Sequence, residues 1–191
     1  MRPVLYSMGV SLDCYIAGPD GIDWAAPDAE LHRFHNEQTR ELGLHVLGRR
    51  LYEVMAFWEA AEERNPSAAT SVSELDVAQL EFARIWKQLP KLVFSKTLEA
   101  VEGNARLSRA DPVQTVRALK EEDGGPIAVG GAELAATLTA QGLIDEYHLF
   151  VNPVAVGGGK PFFADHARVD LELLETRTFS RRVVYLRYRR V

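Results

Sequence analysis

Two short apolar runs in this chain each stop at glycine and pass directly into residues of helical spacing. His45-Val46-Leu47 ends at Gly48, before a helical stretch from Arg49 to Phe57. Pro126-Ile127-Ala128-Val129 ends at Gly130-Gly131, before Glu133, Leu134, Thr137, Leu138 and Gln141 mark a helix closed by Gly142. A strand that is apolar throughout is buried on both faces, and a helix after it carries the chain back to start a parallel neighbour. The repeated order of strand, glycine turn and helix therefore predicts an α/β fold with a mainly parallel sheet.

The rest of the chain fits that frame. Val4 to Leu12 is apolar and rich in strand formers, and it runs into the turn signals Gly18-Pro19-Asp20-Gly21. Pro27-Asp28 opens a helix with Leu31, Phe34, His35, Gln38 and Leu42 at helical spacing and Gly43 after its end. Asn65-Pro66-Ser67 to Ser73 reads as a loop, from which Ser73-Glu74-Leu75-Asp76 starts a helix to about Gln88. Lys91 to Ser95 is a strand, Ala105 to Leu107 a short one, and Asp111-Pro112 begins a helix through about Leu119. Tyr147 to Val151 is strand-like. Segments near 169–176 and 182–190 alternate with period 2 and predict an antiparallel hairpin, in which Val184, Leu186 and Tyr188 share one face and Tyr185, Arg187 and Arg189 the other.

At 191 residues the chain has the length of one domain. Its formal charge of -5, without a long Lys/Arg block, argues against nucleic acid and points to a small-molecule partner. No run approaches the length needed to span a bilayer and no signal peptide is evident, so the expected setting is cytoplasmic, away from a membrane. The lone Cys14 forms neither an internal disulfide nor a thiolate cluster. The five histidines show no HExxH spacing; His32 and His35 share a helix face without a third ligand, and no metal is predicted. GxGxxG, GxxxxGK[ST] and GxSxG are all absent, which removes the ordinary dinucleotide fingerprint, the P-loop and the nucleophile elbow.

Both glycine turns lie where open α/β sheets bind ligands, at strand carboxyl ends, with helix amino ends that attract anions. Gly48-Arg49-Arg50 adds two guanidiniums suited to a phosphate such as the 2′-phosphate of NADP, Ser95-Lys96 follows the next strand, and Gly130-Gly131-Ala132 permits close approach of a pyrophosphate. Near the first loop, Asp13, Asp20, Asp23, Asp28 and Glu30 are carboxylates available to orient a heterocycle or move a proton, and Trp24 offers a stacking face.

Read in order, the strings Ser11 to Gly21 (SLDCYIAGPDG) with Trp24, Gly48 to Glu53 (GRRLYE), Val93 to Lys96 (VFSK), Val129 to Leu134 (VGGAEL), Asp145-Glu146 and Pro153 to Phe163 (PVAVGGGKPFF) resemble the stand-alone dihydrofolate-reductase-like proteins related to the reductase domain of the riboflavin-biosynthesis protein RibD. The likeness runs over nearly the whole chain. It implies a single dihydrofolate reductase-like domain, a three-layer α/β/α fold with a mostly parallel eight-stranded sheet, NADPH across the strand ends, and a homodimer. Carried over by motif, Gly48, Arg49, Arg50 and Leu51 would hold phosphates, Ser95 and Lys96 the adenosine 2′-phosphate side, and Val129, Gly130, Gly131, Ala132 and Glu133 the pyrophosphate. Ile16, Ala17, Gly21 and Ile22 would wall the nicotinamide, with Trp24 beside the substrate and Asp28 or Glu30 as the catalytic carboxylate. The implied activity is NADPH-dependent reduction of a small heterocyclic or sugar-linked substrate, nearest to 5-amino-6-(5-phosphoribosylamino)uracil reductase; a dihydrofolate or pterin reductase, and a non-catalytic NADP-binding or oligomerisation module, stand as alternatives. The chain departs from the family in having Cys14 where Gly is usual, and Val129 where RibD reductases commonly carry Glu before Gly-Gly.

Overall fold

The computed structural model describes residues 1–60, with Asp23 by its backbone alone, 73–163, 168–180 and 182–191. Most of the loop expected between Asn65 and Ser73 lies outside these residues, as does His166. The elements are β1 (Val4–Val10), β2 (Tyr15–Ala17), a 3-10 turn (Asp23–Ala25), α1 (Ala29–Arg40), β3 (Leu44–Gly48), α2 (Arg49–Met55), a second 3-10 turn (Ala56–Ala60), α3 (Glu74–Gln88), β4 (Lys91–Phe94), β5 (Ala105–Ser108), α4 (Pro112–Glu121), β6 (Ile127–Gly130), α5 (Ala132–Ala140), β7 (Glu146–Val151), β8 (Lys160–Pro161), β9 (Leu171–Thr178) and β10 (Val184–Arg190).

Local chemistry sets the helix starts where the sequence places them. Asp28 is extended and its carboxylate accepts from Leu31 N, satisfying one of the orphan donors of α1. Ser73 and Asp76 form a reciprocal capping box on α3, and Asp111 caps α4 with Pro112 in the first turn.

The main sheet has eight strands in the order β5-β4-β3-β6-β1-β7-β10-β9. From β5 to β7 every pairing is parallel, whereas β10 runs antiparallel to both β7 and β9. From β3 the chain steps outward through β4 and β5, then returns to insert β6 between β3 and β1. That reversal makes the crevice over the carboxyl ends of β3 and β6 the topological switch point.

Helices cover both faces. Tyr6, Val129 and Tyr147 pack with Val116 of α4 and with Leu134 and Leu138 of α5. On the opposite face Phe150 and Tyr185 pack with Leu31 of α1, and Leu47 and Val93 pack with Tyr52 of α2 and with Phe82 and Trp86 of α3. The two faces of β10 follow the expected alternation: Leu186 and Tyr188 join the first cluster, and Tyr185 joins the α1 side. A bulge between Arg187 and Tyr188 shifts the register with β9. Nearly all of β9 is exposed, and its Glu172, Glu175 and Arg177 place charge along this sheet edge.

The first strand stops at Val10, two residues short of the expected Leu12. Ser11 turns the chain, its carbonyl accepting from Cys14 N and its hydroxyl from Tyr15 N. The separate β2-β8 pair was not expected from the sequence, because two and three residues are too short to show a period. Gly159 permits that pairing: it has φ +123, and a side chain there would meet Ala17 O at 2.1 Å.

Candidate functional site

The two glycine turns converge. Leu47 of β3 lies beside Gly130 of β6, so the strands end side by side, and a Cβ built on Gly131 would stand 3.6 Å from Gly48 N. They open on a cleft of 470 Å³ lined by Gly48, Arg49, Arg50 and Leu51, by Ser95 and Lys96 after β4, and by Gly131, Ala132 and Glu133 at the start of α5. Gly130 lies beneath the turn. Val129, also expected there, lies away from the cleft: its side chain is core, on the α4 and α5 side of the sheet, because successive strand residues point to opposite faces.

Among the described residues four cations, Arg49, Arg50, Lys96 and Lys160, face the cleft against one carboxylate, Glu133. Arg49 is positioned by Glu53 at 3.2 Å and by the Thr97 hydroxyl at 2.8 Å. Glu133 pairs with Arg50 at 3.0 Å and with Lys160 at 3.6 Å. Arg50 and Glu133 are more than three-quarters exposed, so their pair is weak and yields readily to an incoming anion. No side chain caps α5, whose amino end therefore offers backbone N–H groups to the cleft. The Ser95 hydroxyl accepts from Thr97 N and Leu98 N, while Arg109 donates to the carbonyls of Ser95 and Leu98, fixing the β4 loop. Ser95 thus shapes the loop that presents Lys96. Sequence reasoning missed Thr97, which has no motif of its own, and Lys160, whose signal was present in the glycine run that precedes it.

Ile16, Ala17, Gly21, Ile22 and Trp24 all stand on the segment between β1 and α1, and none lines this cleft. They border it indirectly, since β2 pairs with β8 and Lys160 of β8 is a cleft residue. Trp24 is half-buried, and among the described residues its Nε1 has no hydrogen-bond partner. Asp13 accepts from Val156 N at 3.1 Å and Gly157 N at 2.7 Å, holding the glycine run against the first turn. Hydrogen bonds from Ser11 and from these amides keep its pKa down at about 2. Cys14 has φ 64, which explains why glycine suits this position.

Asp28 and Glu30, expected as candidate catalytic carboxylates, both contact Ser180. Asp28 caps α1 and also accepts from the Ser180 hydroxyl at 2.8 Å; Glu30 accepts from Ser180 N at 2.9 Å, which lowers its pKa. Both tie the β9-β10 turn to α1, a contact between residues 152 and 150 positions apart that no local pattern announces.

A second cavity, of 660 Å³, lies between α1 and the sheet. Leu51 lines both spaces, and Gly130 belongs to the wall of this one. At the amino end of β7 Glu146 bonds His148 Nε2 at 2.9 Å and Arg187 at 2.8 and 3.0 Å, and these partners, His148 foremost, hold Glu146 down at about 2. His148 Nδ1 meets the Tyr185 hydroxyl at 3.2 Å, which also accepts from Gln38. Burial raises Tyr185 to about 12. Nearer the cationic cleft, burial pushes His35 and His45 down to about 4, and His32 is lowered while its ring bonds Asn36 at 3.2 Å. Among the described residues no group of three or more metal-ligating side chains forms, and no helix is long and apolar enough to cross a membrane.

Comparison with known proteins places these features in a family. The family model described as the RibD C-terminal domain matches residues 2–185. The chain is 29% identical over 190 residues to the Bacillus subtilis (strain 168) protein named uncharacterized protein YyaP, covering 98% of this chain and 94% of that one. Among solved structures it resembles a putative riboflavin biosynthesis protein from Shewanella sp. PV-4 (TM-score 0.72, 20% identity, 100% of this chain and 99% of that one). It also resembles the Thermotoga maritima diaminohydroxyphosphoribosylaminopyrimidine deaminase/5-amino-6-(5-phosphoribosylamino)uracil reductase (0.63, 15%, 100% of this chain but 57% of that one). The Enterococcus faecalis dihydrofolate reductase complexed with NADP(H) and RAB-propyl is similar at 0.62 and 16% identity, covering 98% of this chain and 96% of that one.

Proposed function

The chain belongs to the RibD C-terminal domain family, and on that premise we propose that it is an NADPH-dependent reductase of a small heterocyclic or sugar-linked substrate, nearest in activity to 5-amino-6-(5-phosphoribosylamino)uracil reductase. The observation that carries this reading is the convergence of the Gly48 and Gly130-Gly131 turns on one cationic cleft. The residues fit the coenzyme. Gly131, at φ +106, leaves its backbone bare where a pyrophosphate would lie, and the uncapped start of α5 supplies donors to it. Arg49, fixed by Glu53 and Thr97, with Arg50 and Lys96 at the outer side, supplies charge for a ribose 2′-phosphate. The coenzyme, when bound, supplies hydride to an electrophilic carbon. The protein's part is to orient it, by the two turns, and to keep water out on the side where β2 and β8 border the cleft. Pterin reduction through Asp28 or Glu30 has less support, because both carboxylates are engaged by Ser180.

The test is titration with NADPH and NADH of the wild type and Arg49→Ala, followed by NADPH absorbance with the phosphoribosylamino-uracil and with dihydrofolate. A charge-assisted phosphate contact is worth about 1.5–3 kcal/mol, so Arg49→Ala should weaken NADPH roughly 10- to 150-fold and NADH far less. Equal weakening of both coenzymes would remove the assigned role. Tight NADPH binding without turnover of any acceptor would favour the non-catalytic module. The homodimer implied by the family is proposed with the reductase and is read by sedimentation.

A further inference from the structure

We propose that Glu133 is an internal counter-ion of the cationic cleft: its carboxylate engages Arg50 and Lys160 in competition with the coenzyme's phosphates, and so limits how tightly the coenzyme binds and speeds its release. This goes beyond the reductase reading and rests on the coenzyme that it assigns.

Glu133 stands in the first turn of α5, where a carboxylate is favoured by the same amide dipoles that attract an anionic ligand. Its Oε1 lies 3.0 Å from Arg50 of α2 and 3.6 Å from Lys160 of β8. One carboxylate oxygen thus gathers cations from two other elements, and all three residues line the cleft. The dipole of α5 accounts for the position of this carboxylate but not for its two partners, which reach it from elements distant in sequence.

Arg49 shows the contrast. Its carboxylate partner, Glu53, lies one turn along the same helix and is not among the residues lining the cleft; with the Thr97 hydroxyl it orients Arg49 from behind. Glu133 instead lies inside, so a phosphate that takes Arg50 or Lys160 must first part them from this carboxylate.

The strength of the pairs decides what kind of device this is. Arg50 and Glu133 are more than three-quarters exposed and Lys160 about a third. Ion pairs between exposed side chains are worth about 1.4- to 5-fold each in an equilibrium constant. A charge-assisted phosphate contact is worth roughly 10- to 150-fold. The two pairs therefore lower the affinity without closing the cleft. Once displaced, the carboxylate remains tethered to α5 beside its cations and returns to them as a phosphate lifts, so its effect falls on release more than on capture. A hydride-transfer enzyme must discharge the oxidised coenzyme before the next reduced one can bind, and a counter-ion already in the site assists that exchange.

The probes are NADPH and inorganic pyrophosphate, titrated at one ionic strength, with NADPH deciding where pyrophosphate binds too weakly to measure. Glu133→Gln should tighten both by about 2- to 20-fold, the worth of the two exposed pairs, and slow NADP release in stopped flow by a similar factor. In an Arg50→Gln background the tightening should shrink by about 1.4- to 5-fold, the share of that pair. Urea denaturation reports a folded protein for each variant, and Glu133→Ala takes the place of Glu133→Gln if the latter fails to fold. NADPH affinity unchanged or weakened by Glu133→Gln overturns the proposal, the weakened case marking the carboxylate as an acceptor from a ribose hydroxyl. Tightening that Arg50→Gln leaves undiminished overturns it too, since the carboxylate then acts by bare repulsion, as does tightening with no change in the release rate. All of these leave the coenzyme reading standing; wild type that fails to bind NADPH overturns that reading instead.

Discussion

Replacing the motif glycines one at a time separates conformation from crowding at the two cleft turns. Gly131 has φ +106, outside the regions open to side-chain-bearing residues, while the nearest atoms to its added Cβ are Gly48 N and Cα at 3.6 and 3.7 Å, an ordinary contact. Gly131→Ala is therefore limited by backbone strain of about 1–3 kcal/mol, offset by the roughly 0.4–1 kcal/mol that alanine gains by restricting the unfolded chain. The net loss, about 1.3 kcal/mol at the middle of these ranges, corresponds to about 3–5 °C in Tm for a domain of this size. At Gly130 the added methyl would meet Leu47 and Leu51 at 2.6 and 2.7 Å, an overpacking that costs about 1–3 kcal/mol. Gly48 has φ -78 and its nearest neighbour at 3.8 Å, so Gly48→Ala should stay within about 0.5 kcal/mol. Urea denaturation gives the three stabilities, and fluorescence titration gives the NADPH affinities, where Gly131→Ala should lose affinity and Gly48→Ala should keep it. A Gly48→Ala protein as unstable as Gly131→Ala, or a Gly131→Ala protein indistinguishable from wild type on both measures, would refute this reasoning.

Cys14→Gly should stabilise the chain by up to about 1 kcal/mol in urea denaturation, since a left-handed conformation costs a side-chain-bearing residue about 1–2 kcal/mol and glycine returns part of that as unfolded-state entropy; a loss of stability would contradict it. Glu146→Gln should cost about 1–3 kcal/mol at neutral pH, because it removes the charge that His148 and Arg187 both contact in a largely buried position. As the folded carboxyl titrates near 2, below its ordinary value, its stabilisation is complete above the unfolded pKa and is lost as pH falls toward 2. The gap between wild type and variant in urea should therefore shrink on acidification, and a gap that widened would reverse the assignment.

How far the sequence reaches depends on the range of the contacts. Asp28, Ser73 and Asp111 mark their helix starts because a cap is a bond between a side chain and an amide three residues away. The glycine turns are legible for the same reason, so the cleft residues from Gly48 to Leu51, Ser95-Lys96 and Gly131 to Glu133 could be named before any coordinates. Thr97 and Lys160 became site residues only when the β4 loop and the β2-β8 pair were seen to border the same cleft.

The amino-acid order alone determined the α/β class, the parallel strands with their antiparallel close, and the two turns that border the cationic cleft, because propensity, capping and period act over a few residues. Tertiary structure decided which groups those turns leave free. Ser180 reaches back to engage Asp28 and Glu30, Val129 turns to the core while Gly130 makes room for His45, and α1 encloses a cavity with His35 at its wall. Val129 follows the alternation of its strand, but the contacts of Ser180 and of His45 and the cavity under α1 follow from the sheet order, which brings together side chains too far apart along the chain for any local signal to couple them.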